Sequence, residues 1–259
     1  MKSLRANHPA YDLPMPSTLV WISGGSSGIG AALAATVPYD DARVIDISRS
    51  GAGPAQEHLP ADLADPTSWS ALEAHFAAQV GSFEGDRIVM IHAAGVLEPI
   101  GYAGEVDSAS YRRSVLTNAA AGQMLGHAFL RAAAPRSIDS HLVMISSGAA
   151  STAYEGWTAY SAGKAALEAW VRAAGAEQAH RSSRCQVIAV RPGVVATHMQ
   201  EQIRAASATD FPAVERFRAL HADGELADPA EAARRIWGCL DRDLPNGAVV
   251  DVRGLIKEL

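Results

Sequence analysis

The chain has 259 residues, a length that suits one α/β domain and is short for two full enzyme domains. Hydrophobic residues make up 48% and charged ones 19%, which excludes a disordered chain. A net charge of −6 with a pI near 5.8 argues against sequence-independent nucleic-acid binding, which needs a basic face.

Mean hydropathy is +0.02, and no apolar run approaches the ~20 residues of a membrane helix. Residues 1–16 carry no apolar stretch and several prolines, so a flexible arm is expected there rather than a signal peptide. Cys185 and Cys239 stand far apart without metal spacing, and the nine histidines form no HExxH pattern. No metal site is expected, and the cysteine usage suits a reducing cytoplasm.

In chain order, strands are expected at Leu19–Ser23, Arg43–Ile47, Glu57–Pro60 (weakly), Ile88–His92, Leu142–Ser146, Gln186–Val190 and Ala248–Val252. Most lack two-residue alternation, so both of their faces should be covered. Helices are expected at Gly28–Val37, Pro66–Val80, Ser108–Ala133, Ala159–Ala179 and Pro229–Leu240. Asp65-Pro66 and Asp228-Pro229 each place a capping acid before a proline suited to the first helical position. Strand–helix alternation predicts a Rossmann-type, doubly wound parallel sheet of about seven strands with helices on both faces. Residues 17–259 read as one domain. Residues 197–226 mix polar residues with Met199, Ile203, Phe211, Phe217 and Leu220, and read as an insertion over the sheet's carboxyl edge.

The first strand runs into Ser23-Gly24-Gly25-Ser26-Ser27-Gly28-Ile29-Gly30 and then a helix. Glycines let the backbone approach a pyrophosphate, and the helix start offers it free N–H groups. Ser48 falls eighteen residues after Gly30, where an NAD-selecting acid would stand, with Arg49 beside it. A hydroxyl next to a guanidinium suits the 2′-phosphate of NADP(H). Asp46, two residues earlier, would become the NAD-selecting acid if the strand's register slipped. Asp62-Leu63 beyond the third strand is either an adenine contact or a solvated helix cap.

Tyr160-Ser161-Ala162-Gly163-Lys164 opens a long helix, and positions four apart share one helical face. A cation beside the phenol should lower its pKa toward working pH. Only three of the 22 basic residues are lysine, so Lys164 is expected where a guanidinium will not serve. Ser147 follows the fifth strand, thirteen residues before Tyr160. Asn118 lies mid-helix, a poor place for it without exposure or a polar role. His92-Ala93-Ala94-Gly95 and Arg191-Pro192-Gly193-Val194-Val195-Ala196-Thr197 mark two further strand ends.

Together these motifs resemble the short-chain dehydrogenase/reductase family from about Ser17 to Val252. Within it, SSGAASTAYEGWTAYSAGKAAL and PGVVATHMQ look most like the sepiapterin reductase and benzil reductase subgroup, which prefers NADPH and reduces carbonyls beside carbonyls. The resemblance implies Tyr160 as general acid and Lys164 as the residue that holds the nicotinamide ribose and tunes Tyr160. It implies Ser147 as the hydroxyl that orients the carbonyl, and Asn118 as holding a relay water. Val195 and Thr197 match positions near the carboxamide, with Pro192 and Gly193 shaping their loop. His92 departs from the family's usual asparagine, and His198 from its usual acid. The family's pairing of long helices implies a homodimer or a tetramer.

An apolar cleft of Leu97, Tyr154, Trp157, Met199 and Phe211 is expected, with no Arg or Lys to hold an anion; each of these residues could equally belong to the core. The expected activity is NADPH-dependent reduction of a ketone or diketone. NAD-dependent alcohol oxidation and a non-catalytic NADP-sensing protein are the alternatives.

Overall fold

Unbroken runs of Val, Ile and Leu require cover on both faces of a sheet, and the helices supply it. The computed structural model describes residues 17–254, so the arm expected at 1–16 lies outside the described residues. The elements run β1 (Thr18–Ser23), α1 (Gly28–Ala35), β2 (Ala42–Ser48), β3 (Glu57–Pro60), α2 (Thr67–Ser82) and β4 (Arg87–His92). They continue with α3 (Ser108–Val115), α4 (Ala121–Ala133), β5 (Asp139–Ile145), α5 (Thr158–His180) and β6 (Cys185–Arg191). Last come α6 (His198–Ala205), α7 (Val214–Ala222), α8 (Pro229–Trp237) and β7 (Val249–Asp251).

Among the described residues the strands form one seven-stranded sheet in the order β3-β2-β1-β4-β5-β6-β7. Every neighbouring pair is parallel. The winding direction reverses between β1 and β4. Their carboxyl ends therefore diverge into a crevice, the binding place of such sheets.

Each sheet face has its own core. On one, Trp21 stands edge-on to Phe76 at 5.2 Å and to Phe129 at 6.1 Å, joining β1 to α2 and α4. On the other, Val20, Ile22 and Leu33 meet Ile236 and Trp237 of α8. The buried Trp237 indole donates to Leu33 O at 3.1 Å, so its polar edge is satisfied where it enters the core. A third cluster, including Trp157, Ile203, Phe211, Val214 and Phe217, lies under the segment expected as an insertion. That segment holds α6 and α7, and a parallel bridge between Val195 and Ala227 ties its base.

The expected cap at Asp228 accepts from Ala230 N and Glu231 N. Asp65 accepts from Thr67 N at 2.9 Å, with the helix beginning at Thr67 rather than Pro66. The helix expected unbroken over Ser108–Ala133 is corrected. A π-helical turn at Leu116–Ala120 separates α3 from α4 and carries Asn118. Such turns insert one residue and re-aim a side chain, and Asn118 points inward with no exposed surface.

Helix α5 approaches the backbone ahead of β7 at Gly175, where an added Cβ would stand 2.1 Å from Gly247 N. Gly175→Ala should therefore push α5 off the sheet and cost about 1–3 kcal/mol, the scale of overpacking. The denaturation midpoint should fall with the m-value unchanged; an unshifted midpoint would contradict this packing.

Candidate active site at the carboxyl edge of the sheet

The glycine loop folds back on itself and onto the chain beyond β4. Gly24 has φ +74°, and a Cβ there would stand 2.8 Å from Ala94 Cα; at Gly30 it would stand 2.1 Å from Gly24 O. Ser27 precedes α1 in extended backbone without capping the helix through its side chain. The first amides of α1 are thus left to the cleft, a donor set that fits a dinucleotide pyrophosphate. This cleft is lined by Gly24, Ser26, Ser27, Gly28, Ile29, Gly30, Ser48, Arg49, Asp62, Leu63, Ala93, Ala94, Gly95 and Thr197. Val96, Arg113 and Thr117 also line it, which sequence reasoning missed. Pro192, Gly193 and Val195, expected here, face the adjoining cleft instead.

At the far end of this cleft, Ser48 Oγ donates to Asp46 Oδ2 at 2.6 Å and accepts from Gly51 N at 3.2 Å. Asp46 is buried beneath the loop, and a Cβ on Gly25 would stand 2.7 Å from its Oδ1. Arg49 is exposed along the cleft. Arg113 donates through Nη2 to both oxygens of Asp62 at 3.0 Å. Burial pushes Asp62 up, but the Ala64 amide and the Arg113 and Arg49 guanidiniums outweigh it and hold its carboxyl low.

The second cleft contains Ser147, Tyr160 and Lys164, and shares Ile29, Ala93, Gly95, Thr197 and Met199 with the first. Lys164 Nζ donates to Ile145 O at 2.8 Å and stands 5.8 Å from the centre of the Tyr160 ring. Burial pushes the Lys164 ammonium down to about 8. The phenol is raised by burial, against an opposing pull from Ser147, and not lowered as the spacing suggested. Removal of water from around the phenol is the larger of the two influences.

Asn118 is fully engaged. Its Nδ2 donates to Val96 O at 2.7 Å and Ser114 Oγ at 3.0 Å, while its Oδ1 accepts from Val96 N at 2.9 Å. His92 is buried beneath this loop, sharing a 2.8 Å hydrogen bond with Ser23 Oγ; burial and then the Lys164 charge push it down to about 3. It stays neutral. His198 lies in the open at the start of α6, with Nδ1 2.9 Å from Glu201 Oε2.

Leu97, Tyr154, Trp157 and Met199 line the second cleft as expected from sequence, and Ile203, Phe217 and Leu220 join them. Phe211 does not line it. It is fully buried, stacked on Trp157 at 4.3 Å and 14°, so it backs the wall from the core side. The expectation of a cleft without basic residues also fails: Arg191, Arg216 and Arg253 line it. They come from β6, α7 and the chain after β7, so no local charge run betrays them. Arg191 donates to Glu168 through Nε at 2.6 Å and Nη2 at 2.7 Å, and Ser146 Oγ donates to the same carboxylate at 2.7 Å.

A profile of the short chain dehydrogenase family matches residues 18–208. Benzil reductase ((S)-benzoin forming) of Bacillus subtilis (strain 168) is 32% identical over 235 residues, covering 90% of this chain and 97% of that protein. Sepiapterin reductase of Rattus norvegicus is 33% identical over 111 residues, 42% of this chain and 40% of that one. A crystal structure of a Saccharomyces cerevisiae short chain dehydrogenase/reductase superposes with TM-score 0.76 at 23% identity, covering 91% of this chain and 96% of that chain.

Because Asn118 bonds both the N–H and the C=O of Val96, Asn118→Ala should strand those two groups. The expected loss is about 1–3 kcal/mol in chemical denaturation. A smaller change would mean that water replaces the amide.

Proposed function

The chain belongs to the short-chain dehydrogenase/reductase family, and we propose that it is an NADPH-dependent carbonyl reductase acting on a ketone or diketone. The observation that carries this reading is the meeting of two clefts at Gly95 and Thr197. One has the donors for a dinucleotide, and the other has Ser147, Tyr160 and Lys164 on one wall. A bound nicotinamide dinucleotide supplies the hydride. Ser147 and Tyr160 hold the carbonyl oxygen between their hydroxyls, and Tyr160 gives that oxygen its proton as the carbon is reduced. Lys164 remains charged below about pH 8 and steadies the phenolate left behind. Asn118 fixes the loop under both clefts. The apolar wall of Leu97, Trp157 and Met199 keeps water from the reacting carbon.

Arg49 supports NADPH over NADH. It lies exposed on the cleft, and Arg113 beside it is engaged with Asp62. Asp46, the acid that NAD-dependent alcohol oxidation would call upon, is buried beneath Gly25 with Ser48 bonded to it. We further propose a homodimer, or a tetramer containing it, built on α4 and α5; Val115 and Met124 are exposed on the α3–α4 surface. Two free, buried cysteines accord with a cytoplasmic protein.

Tyr160→Phe should lower reduction by at least ~10²-fold while NADPH binding, followed by fluorescence, survives. Near-wild-type turnover in Tyr160→Phe would sink the mechanism, and NADPH binding without any turnover by wild type would favour a sensing role. Above about pH 8, where Lys164 releases its proton, kcat for reduction should fall, whereas Tyr160, raised by burial, keeps its own proton there. A profile flat to pH 10 would contradict this. Arg49→Ala should cost NADPH about tenfold or more in kcat/KM, the worth of one charge-assisted contact, with NADH little affected.

A further inference from the structure

On the reading that the second cleft reduces a carbonyl, we propose that its substrate carries a carboxylate remote from the reacting carbon, held by Arg216. The side chains lining this cleft include Lys164, Arg191, Arg216 and Arg253 and no Asp or Glu. In a chain of net charge −6, any of these cations that no carboxylate of the protein holds is free to take an anion from outside. The dinucleotide does not account for it, because the glycine loop, Arg49 and Arg113 lie in the other cleft.

The four cations are not equivalent. Arg191 is neutralised by Glu168, and Arg253 donates to Asp251 at 2.9 and 2.6 Å. Lys164 is turned to the backbone at Ile145. Arg216 is different: among the described residues its Nη1 donates to Tyr154 Oη at 3.1 Å, and no carboxylate pairs with it. The neighbouring Glu215 is taken by Arg218. Arg216 is exposed at the mouth, so an anion reaches it without the cost of stripping a buried charge.

The wall between Arg216 and the reacting end is aromatic. The Tyr154 ring centre is 5.1 Å from that of Trp157, which is 5.6 Å from that of Tyr160. These rings are inclined at 57° and 68° to one another, so they line a path and not one flat face; a molecule following it would present its carbonyl to Tyr160 and an acid group at its other end to Arg216. The guanidinium fork can grip a carboxylate with two parallel N–H bonds, the Tyr154 hydroxyl adding a third. The chemical class is an aryl ketone that carries a carboxylate on the side of the ring away from the acyl group.

The test compares 4-acetylbenzoate with its methyl ester, two probes of one shape that differ in charge. Wild-type protein with NADPH should show a KM for the acid lower by about tenfold or more, and added salt should narrow that gap. Arg216→Gln should close it chiefly through KM. Arg216→Glu should instead turn the preference toward 4-acetylbenzylamine, a gain that mere loss of structure would not produce. Calorimetric titration of 4-acetylbenzoate into the complex with NADP+, where no hydride can be delivered, reads the same contact without turnover. Equal KM values for acid and ester, or a gap that survives in Arg216→Gln, would overturn the assignment of Arg216. If no carbonyl probe is reduced, the reductase reading fails. The titration then decides the anion site alone: binding lost in Arg216→Gln upholds it, and no binding by wild type overturns it.

Discussion

Helix α5 lies against the π-helical turn at Asn118 through Gly163, which puts no side chain of its own between them, and the floor of both clefts rests on that approach. A Cβ on Gly163 would stand 2.6 Å from Asn118 Cβ, closer than any real side chain tolerates. Lys164 is the next residue, so the contact that admits only glycine also sets how deeply the ammonium enters the site. On the other side of the turn, Asn118 holds Val96 at both its N–H and its C=O. Gly95 is caught between them, with its Cβ position 3.2 Å from Asn118 Oδ1 and 3.5 Å from Lys164 Nζ. One close approach therefore places the floor that the two clefts share.

A second anchor acts one turn further along α5. Glu168 is buried, and it accepts from Ser146 at the end of β5 and from Arg191 at the end of β6. A buried ion pair contributes little net stability, because desolvation offsets most of its attraction. Its use here is geometric. Apolar packing alone tolerates a helix sliding along a sheet, whereas bonds to two adjacent strand ends do not. Ser147, next in sequence to Ser146, and Tyr160, on the same helix as Glu168, are thereby kept in register across the cleft. Burial of Lys164 and Tyr160 works against folding, and the apolar cores on both sheet faces outweigh it.

Much of this was legible in the chain because the signals were local. Fully covered strands announce themselves as runs such as LVWIS and IVMIH, and a glycine loop between a strand and a helix needs no distant residue to be read. The π-helical turn was not legible: LTNAA has the same apolar spacing whether or not one hydrogen bond slips. Phe211 and Phe217 lie in one segment with the same chemistry, yet Phe217 on α7 lines the cleft while Phe211, in the chain before α7, stacks behind Trp157. The rise in the Tyr160 pKa was hidden because spacing says where a cation stands and nothing of how much water remains.

The cleft arginines were hidden for a related reason, and they alter how the molecule's charge should be understood. Net charge describes the far field, and at physiological salt that field fades within about 8 Å. What an approaching anion meets is the lining: Arg49 and Arg113 with only Asp62 as acid in one cleft, and no acid at all in the other. Low-dielectric walls concentrate the potential of such groups toward the opening. An acidic chain can in this way draw two anions to adjoining positions. Its surface carboxylates, paired with arginines as in Arg131–Glu73 and Arg235–Glu231, add little to the field there. Of the cleft cations, Arg113, Arg191 and Arg253 are held by Asp62, Glu168 and Asp251, which leaves Arg49 and Arg216 to meet anions at the carboxyl edge of the sheet, where segments far apart in sequence converge.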